Sequence, residues 1–339
     1  MKRFISICMI MCLLFCGCGR ILPLPQKQYS ATFMDLFDTV TSIVGFALNE
    51  EEFHVQAQKL HDELLTYHQL FDIYNEYDGV NNLKTVNDQA GIAPVAVDTN
   101  IIELLLDCKH YYELTAGKVN IAMGNVLSLW HAARNEGIRD PLNARLPDSK
   151  QLKDAARHMD FDCIEIDENA LTVYISDAAC SLDVGAIAKG WATQQVAESA
   201  PTGMLISVGG NIYATGPKPR DNPWVIGIRD PNGSDNLHTI CVNSGAVVTS
   251  GDYQRSYTVD GLEYHHIIDP ITQMPARHWR SVTVACEDSG LADALSTALF
   301  LLPLEDGQAL AEKCGVNALW VDHNGDEFMT PGFKGILRS

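Results

Sequence analysis

Basic residues are scarce in this chain and nowhere clustered. Its 339 residues include 24 Lys and Arg against 43 Asp and Glu, a formal charge of −19, and no basic run follows Lys2-Arg3. Phosphate backbones are held by grouped cations, so the composition argues against a nucleic-acid partner. No internal repeat, low-complexity tract or long linker interrupts the sequence. No glycine pattern of the P-loop or dinucleotide-binding type occurs either, which excludes those two nucleotide folds by their own criteria. The hydrophobic share of 46% is that of an ordinary globular protein and excludes a disordered or fibrous one.

The cysteines are unevenly placed. Cys8, Cys12, Cys16 and Cys18 fall in the first 18 residues, behind the positive pair Lys2-Arg3. Phe4 to Phe15 is an apolar run of 12 residues, too short for a hydrocarbon layer that needs ~20 helical residues. The segment reads as a bacterial lipoprotein signal over 1–17, with small Gly17 before a lipidated Cys18, followed by a proline-containing tether over 18–32. Loss of Lys2 and Arg3, with no acid, would take the charge of −19 to −21. Anionic lipid surfaces repel such a protein, so attachment would come from the lipid at Cys18, on the extracytoplasmic face of the cell membrane. Six cysteines remain, at 108, 163, 180, 241, 286 and 314, none within four residues of another. That spacing offers no redox or zinc motif, and most of them are expected to be buried apolar thiols.

Helical periodicity appears first after Asn49. Phe53, Leu60, Leu64, Tyr67 and Phe71 recur on one face, and Glu52 lies three residues past the cap. Further helices are predicted over Thr99 to Thr115 and Asp148 to His158. Beyond residue 160 short β-rich segments alternate with turn signals, near 171–176, 203–208, 223–228, 238–249, 255–259, 281–285 and 317–321. Two helices interrupt them, from Asp183 to about Glu198 and from Gly290 to about Leu302. This order predicts one α+β unit over 33–339, with two lobes.

Four constellations carry chemistry. Asp183-Val-Gly185-Ala186-Ile-Ala-Lys189 spans a strand-to-helix junction whose free N–H groups suit an anion, although such a segment is also a common structural turn. Asp293 and Thr297 are four residues apart and share a helix face, which suits a hard cation such as Mg²⁺, or plain dipole capping. His266, beside His265 and before Asp269-Pro270, could serve as acid or base or be a structural hydrogen-bonder. Gly209-Gly210-Asn211 implies close backbone approach, to a ligand or to another strand.

Taken together, the strings LDVGAIAKGWA (182–192), SVGGNIYATG (207–216), WVIGIRDP (224–231), TSGDYQRSY (249–257), HHIIDP (265–270) and ADALSTALF (292–300) resemble the ApbE family of FAD:protein FMN transferases. Weaker matches at FDTVTSI (37–43), FDIY (71–74) and TAGKVNIAMGNVLSLW (115–130) extend the resemblance over nearly the whole chain after the leader. It implies an ApbE-like α+β fold of mostly antiparallel sheets with flanking helices and a flavin site between two lobes. The implied reaction splits FAD with Mg²⁺ and joins FMN to a threonine hydroxyl of a separate acceptor protein, releasing AMP.

Position by position, the resemblance places flavin contacts on Tyr74, Lys118, Val119, Asn120, Asp183, Lys189 and Ile267. Metal ligands fall on Asp293, Thr297 and the carbonyl of Ala186, and catalytic roles on His266 and Asp293. The chain departs from the family where Gly117-Lys118-Val119-Asn120-Ile121 replaces a Gly-Ala-Phe-Asp-Pro pattern. Asn120 can bond a flavin or adenine edge there but cannot be a base. Gln273 stands where the family's Asp-Pro-x-Thr-Gly has glycine. A hydrolase giving FMN and AMP, or a flavin-binding lipoprotein without catalysis, are the alternatives. No Ser-Gly-Ala-Thr-like string occurs, so the acceptor is expected on another chain.

Overall fold

The computed structural model describes residues 26–338. The expected lipoprotein signal and Cys18 lie outside them. Among the described residues no helix is long and apolar enough to cross a membrane.

The chain begins with a hairpin, β1 (Lys27–Leu36) and β2 (Thr39–Ala47), followed by α1 (Glu50–Phe71) and α2 (Leu83–Asp88). Then come β3 (Val95–Ala96), α3 (Thr99–Leu114), α4 (Gly124–Arg139), α5 (Ser149–Ala155), β4 (Ile164–Asp167) and β5 (Thr172–Ile175). The second half runs α6 (Ala188–Ser199), β6 (Leu205–Val208), β7 (Asn211–Ala214), β8 (Trp224–Arg229), β9 (Asn236–Val242) and β10 (Gly245–Gly251). It ends with β11 (Ser256–Val259), β12 (Leu262–His265), β13 (Ser281–Cys286), α7 (Ser289–Phe300), α8 (Leu304–Cys314), β14 (Asn317–Val321), β15 (Glu327–Met329) and α9 (Pro331–Ile336).

Eight strands form the main sheet in the order β1-β2-β6-β7-β10-β13-β14-β15, every neighbouring pair antiparallel. Small sheets β3-β5-β4, β8-β9 and β11-β12 flank it. Strand alternation decides which core each residue joins. Ala246, Val248, Val282, Val284, Ala318 and Trp320 pack with α1, α6, α7 and α8, whereas Val247, Ala285, Leu319 and Val321 pack against β8, β9 and α9. A third, smaller cluster joins Val126 and Trp130 of α4 to Tyr257 and Val259 of β11.

The helix after Asn49 forms as its periodicity predicts. Asn49 Oδ1 accepts the Glu52 N–H at 2.9 Å, and Phe53, Leu60, Leu64 and Phe71 are buried. Several expectations need correction. The tether ends by Lys27, because residues 27–32 already pair with β2 at the edge of the main sheet. The single strand expected over 238–249 is two, since the chain turns at Gly245 (φ +100) and β9 and β10 enter different sheets. The helix expected from Asp183 starts at Ala188. Helix α4 was not anticipated because it holds Gly124 and Gly137. A Cβ there would stand 2.5 Å from Ser181 O and 2.5 Å from Tyr257 Cδ2, so neighbours impose these glycines. Only Cys108 and Cys180 of the six body cysteines are buried; the other four are intermediate.

Candidate active site

A cleft of about 720 Å³ opens where the main sheet, α6 and α7 meet α4, the segment around Arg255 and the 266–268 strip. Tyr74, Lys118, Val119, Asn120, Asp183, Ala186, Lys189, His266, Ile267, Asp293 and Thr297 all line it. The structure therefore brings every sequence-predicted residue of the body into one cavity.

Asp293 lies on the buried face of α7 and is 4% exposed. Its Oδ2 accepts the Gly190 N–H and the Asn211 side-chain amide, each at 2.8 Å, and Lys189 Nζ stands 3.6 Å away. Burial pushes this carboxyl up, opposed by the Lys189 charge and these hydrogen bonds. Oδ1 has no partner among the described residues. The Thr297 hydroxyl, one turn on, is equally free, although Ser296 beside it bonds back to Asp293 O at 2.9 Å. The third oxygen is freed by the same contact: Gly190 N–H, which helical geometry would aim at Ala186 O, is turned to Asp293. Among the described residues one carboxylate oxygen, one hydroxyl and one carbonyl thus lack protein partners, which is the donor chemistry of an incomplete Mg²⁺ shell. Gly190 is obligatory here, for a Cβ would sit 2.3 Å from Ser289 O and 2.4 Å from Asp293 Cβ.

Asp183 Oδ1 caps the turn by accepting the Gly185 N–H at 2.9 Å, and Lys189 Nζ donates to Gly185 O at 3.1 Å. The Gly209-Gly210 pair makes a two-residue turn joining β6 and β7, with φ of +59 and +93. Of the two alternatives, the close approach is to protein: a Cβ on Gly209 would meet Thr39 Oγ1 at 2.7 Å. That turn delivers Asn211 to Asp293. On the other side of the pair, Phe37 and Asp38 make a glycine-free hairpin turn with φ of +51 and +50, strained backbone at the rim of the cleft.

The remaining predicted contacts are already engaged. Lys118 Nζ is paired with Asp269 Oδ2 at 2.8 Å, both largely buried, so its charge is neutralised before any ligand arrives. The Asn120 amide is used at both ends: Nδ2 donates to Met159 O and Oδ1 accepts the Ala122 N–H, each at 2.9 Å. It shapes the wall, and one amide hydrogen and one oxygen lone pair are left over toward the cleft it lines. Val119 and Ile267 are apolar wall.

His265 is structural, its Nε2 donating to Ala276 O at 2.7 Å while Nδ1 accepts the Ile267 N–H. His266 is half-buried, and its covered Nδ1 has no hydrogen-bond partner. Burial first, then the charge of Arg255, pull its imidazole down to about 3, so it is neutral at working pH. Tyr74 is 58% exposed, its hydroxyl 3.1 Å from His131 Nδ1. Sequence reasoning assigned no role to His131, Arg229, Arg255 or Asn211. Asn211, Arg229 and Arg255 stand inside quoted motifs, whereas His131 carried no local signal.

The match to a family model settles the lineage: residues 37–320 match that of the ApbE family. The chain belongs to the ApbE family. Among ApbE relatives, the FAD:protein FMN transferase of Treponema pallidum is 36% identical over 260 residues, 70% of each chain. That of Klebsiella pneumoniae is 30% identical over 284 residues, covering 78% of this chain and 84% of its own. The crystal structure of the ApbE protein from Thermotoga maritima superposes with a TM-score of 0.82 at 31% identity, over 92% of this chain and 100% of that one. The flavin transferase ApbE from Vibrio cholerae, at 24% identity and a TM-score of 0.77, shares the fold. The α+β architecture of mostly antiparallel sheets is thus the ApbE fold.

Proposed function

We propose that this ApbE-family chain is an FAD:protein FMN transferase that uses Mg²⁺ and places FMN on a threonine hydroxyl of a separate acceptor protein, releasing AMP. The carrying observation is the set of three partnerless oxygens, from Asp293, Thr297 and Ala186, beside Lys189. A divalent cation held there would neutralise charge on the phosphoanhydride and polarise it.

The chain's own groups supply the rest. Lys189 places a cation beside the diphosphate, and Tyr74 offers an aromatic face to the flavin. The threonine oxygen attacks the FMN phosphorus as the bond to the AMP oxygen breaks and AMP leaves with that electron pair. The proton of the threonine passes to a base, for which neutral His266 is in the required form. An anionic diphosphate offsets the cations that depress its pKa, which raises its basicity when substrate is bound.

Incubation with FAD, Mg²⁺ and a threonine-bearing acceptor domain tests this reading, by AMP release and flavin fluorescence on the denatured acceptor. AMP with a fluorescent acceptor supports transfer. AMP alone would make the chain an FAD hydrolase, and no AMP would leave a flavin-binding protein. We also propose a lipid anchor at Cys18 on the extracytoplasmic side, checked by the loss of membrane-fraction protein in Cys18→Ala.

A further inference from the structure

Tyr74 is held at its two ends by elements that are distant in sequence. Its backbone belongs to the loop after α1, and Asp72 knits that loop together. Asp72 Oδ1 accepts the Tyr74 N–H at 2.6 Å and the Asn75 N–H at 3.1 Å, while Oδ2 accepts the Asn75 side-chain amide at 2.9 Å and the Tyr77 hydroxyl at 2.8 Å. Asp72 is itself buried, and its main-chain oxygen accepts the Lys84 N–H at 3.0 Å, which fastens the loop to α2. The far tip of the Tyr74 side chain is tied to α4, where its hydroxyl lies 3.1 Å from His131 Nδ1.

Helix α4 presents that nitrogen from one stripe of its surface. Met123, Leu127 and His131 follow one another at intervals of four residues and all line the cleft, so this wall is apolar at Met123 and Leu127 and polar at His131. Burial pulls the His131 imidazole below its usual value, against the charge of Asp183. The ring is therefore neutral and has one nitrogen able to accept the phenol O–H. The Tyr74 ring is more than half uncovered, and among the described residues the bond to His131 is the one hydrogen bond its side chain makes.

We propose that His131 is a positioning residue for the flavin: its bond to the Tyr74 hydroxyl sets the plane of the phenol ring before the ligand arrives. A side chain that must be immobilised on binding costs affinity, and one held beforehand does not. The part of the ligand concerned is the flat isoalloxazine, which stacks on an aromatic platform, and not the ribityl or phosphate part. The inference rests on the flavin reading of the cleft.

The test is equilibrium binding of riboflavin, which carries the isoalloxazine without phosphate, to the whole protein in EDTA, followed by flavin fluorescence. His131→Leu removes the bond and keeps an apolar side chain; Tyr74→Phe removes it from the other side and keeps the ring. Each should weaken riboflavin about fivefold, the order expected of one neutral hydrogen bond. The double variant should also lose about fivefold, because both changes delete the same bond. His131→Gln, whose amide can meet the hydroxyl, should recover most of the affinity, and FAD should shift by the same factors. Should His131→Leu fail to fold, as thermal melts would show, Tyr74→Phe and His131→Gln carry the test. Unchanged affinity in Tyr74→Phe, no recovery in His131→Gln, or a double variant weakened by the product, about 25-fold, would overturn the proposal. Failure of the wild-type protein to bind riboflavin or FAD would instead overturn the flavin reading of the cleft.

Discussion

On α7, Ala292 through Ser296 are all buried and Asp293 is held from three directions, whereas on α4 only Gly124, Val126, Trp130 and Gly137 are buried and the residues facing the cleft are partly exposed. The first wall fixes one carboxylate by hydrogen bonds from α6 and β7. The second presents Leu127 and His131, only partly covered, with the His131 ring held by one hydrogen bond among the described residues, Nδ1 to the Tyr74 hydroxyl at 3.1 Å. A hard cation, if held at the first wall as proposed, would need ligands set within a few tenths of an ångström, which a side packed like a core can supply and a looser side cannot.

Asp293→Ala should break the packed wall most severely. Removing the one carboxylate among the proposed ligands should lower Mg²⁺-dependent AMP release by roughly 10²- to 10³-fold, and titration calorimetry should show Mg²⁺ binding lost. Full activity would show that the cation is held elsewhere. Gly190→Ala attacks the same wall through packing alone. Its Cβ would meet Ser289 O at 2.3 Å and Asp293 Cβ at 2.4 Å, and backbone on one side leaves little room to yield. We expect a loss of about 3 kcal/mol in denaturant unfolding, together with weaker Mg²⁺ binding. Unaltered stability would mean that α6 and α7 are not locked at this point.

The difference between the walls also explains what could be read from sequence. Asp293 and Thr297 were legible because helical spacing alone places them on one face, and Gly-rich motifs flagged the segments that hold them. Asn211 was visible only as part of a turn: its role depends on a contact with a residue 82 positions away. His131 and Arg134 sit on a helix whose glycines hid it, since those glycines are demanded by Ser181 and Tyr257 from distant segments. Asn120 shows the same limit: only the fold reveals that Met159 O and the Ala122 N–H each take one bond of its amide. Residues 27–32 of the edge strand β1 read as tether in the sequence because their pairing partner, not their own pattern, makes them strand.

Acid should distinguish the strip behind the second wall. His265 accepts the Ile267 N–H at Nδ1, so it must stay neutral, and burial holds its pKa down to about 4. The unfolded chain takes up a proton near 6.5 while the folded one does not, so stability is full above that pH and falls as pH drops toward 4. Between pH 7 and pH 5 this histidine accounts for about 2 kcal/mol of lost stability. His266 adds to the slope, and His61, raised by Asp62 and Asp35 despite its burial, opposes it. Urea unfolding of His265→Gln should therefore show a loss about 2 kcal/mol smaller than wild type over that range. An identical acid loss in both proteins would place the sensitivity in other groups.

The smallest effect concerns the turn at the end of that strip. Gln273 adopts φ +56, in the left-handed region, where the family pattern has glycine. Its main chain is committed there: the N–H bonds Asp269 O at 2.8 Å and the carbonyl accepts Trp130 Nε1–H at 2.8 Å, which ties the turn to α4. Two side-chain bonds, from Nε2 to Pro270 O and Ile271 O, partly offset the strain. Gln273→Gly would release about 1 kcal/mol of left-handed strain, but it would lose those two side-chain bonds and loosen the unfolded chain. The balance should be a gain below about 0.5 kcal/mol, a melting shift of no more than about 1 °C for a chain of this length, with the Trp130 contact kept. A rise of several degrees would mean that the side-chain bonds count for nothing. A clear fall would mean that they, and not the backbone tie to Trp130, hold the second wall in place.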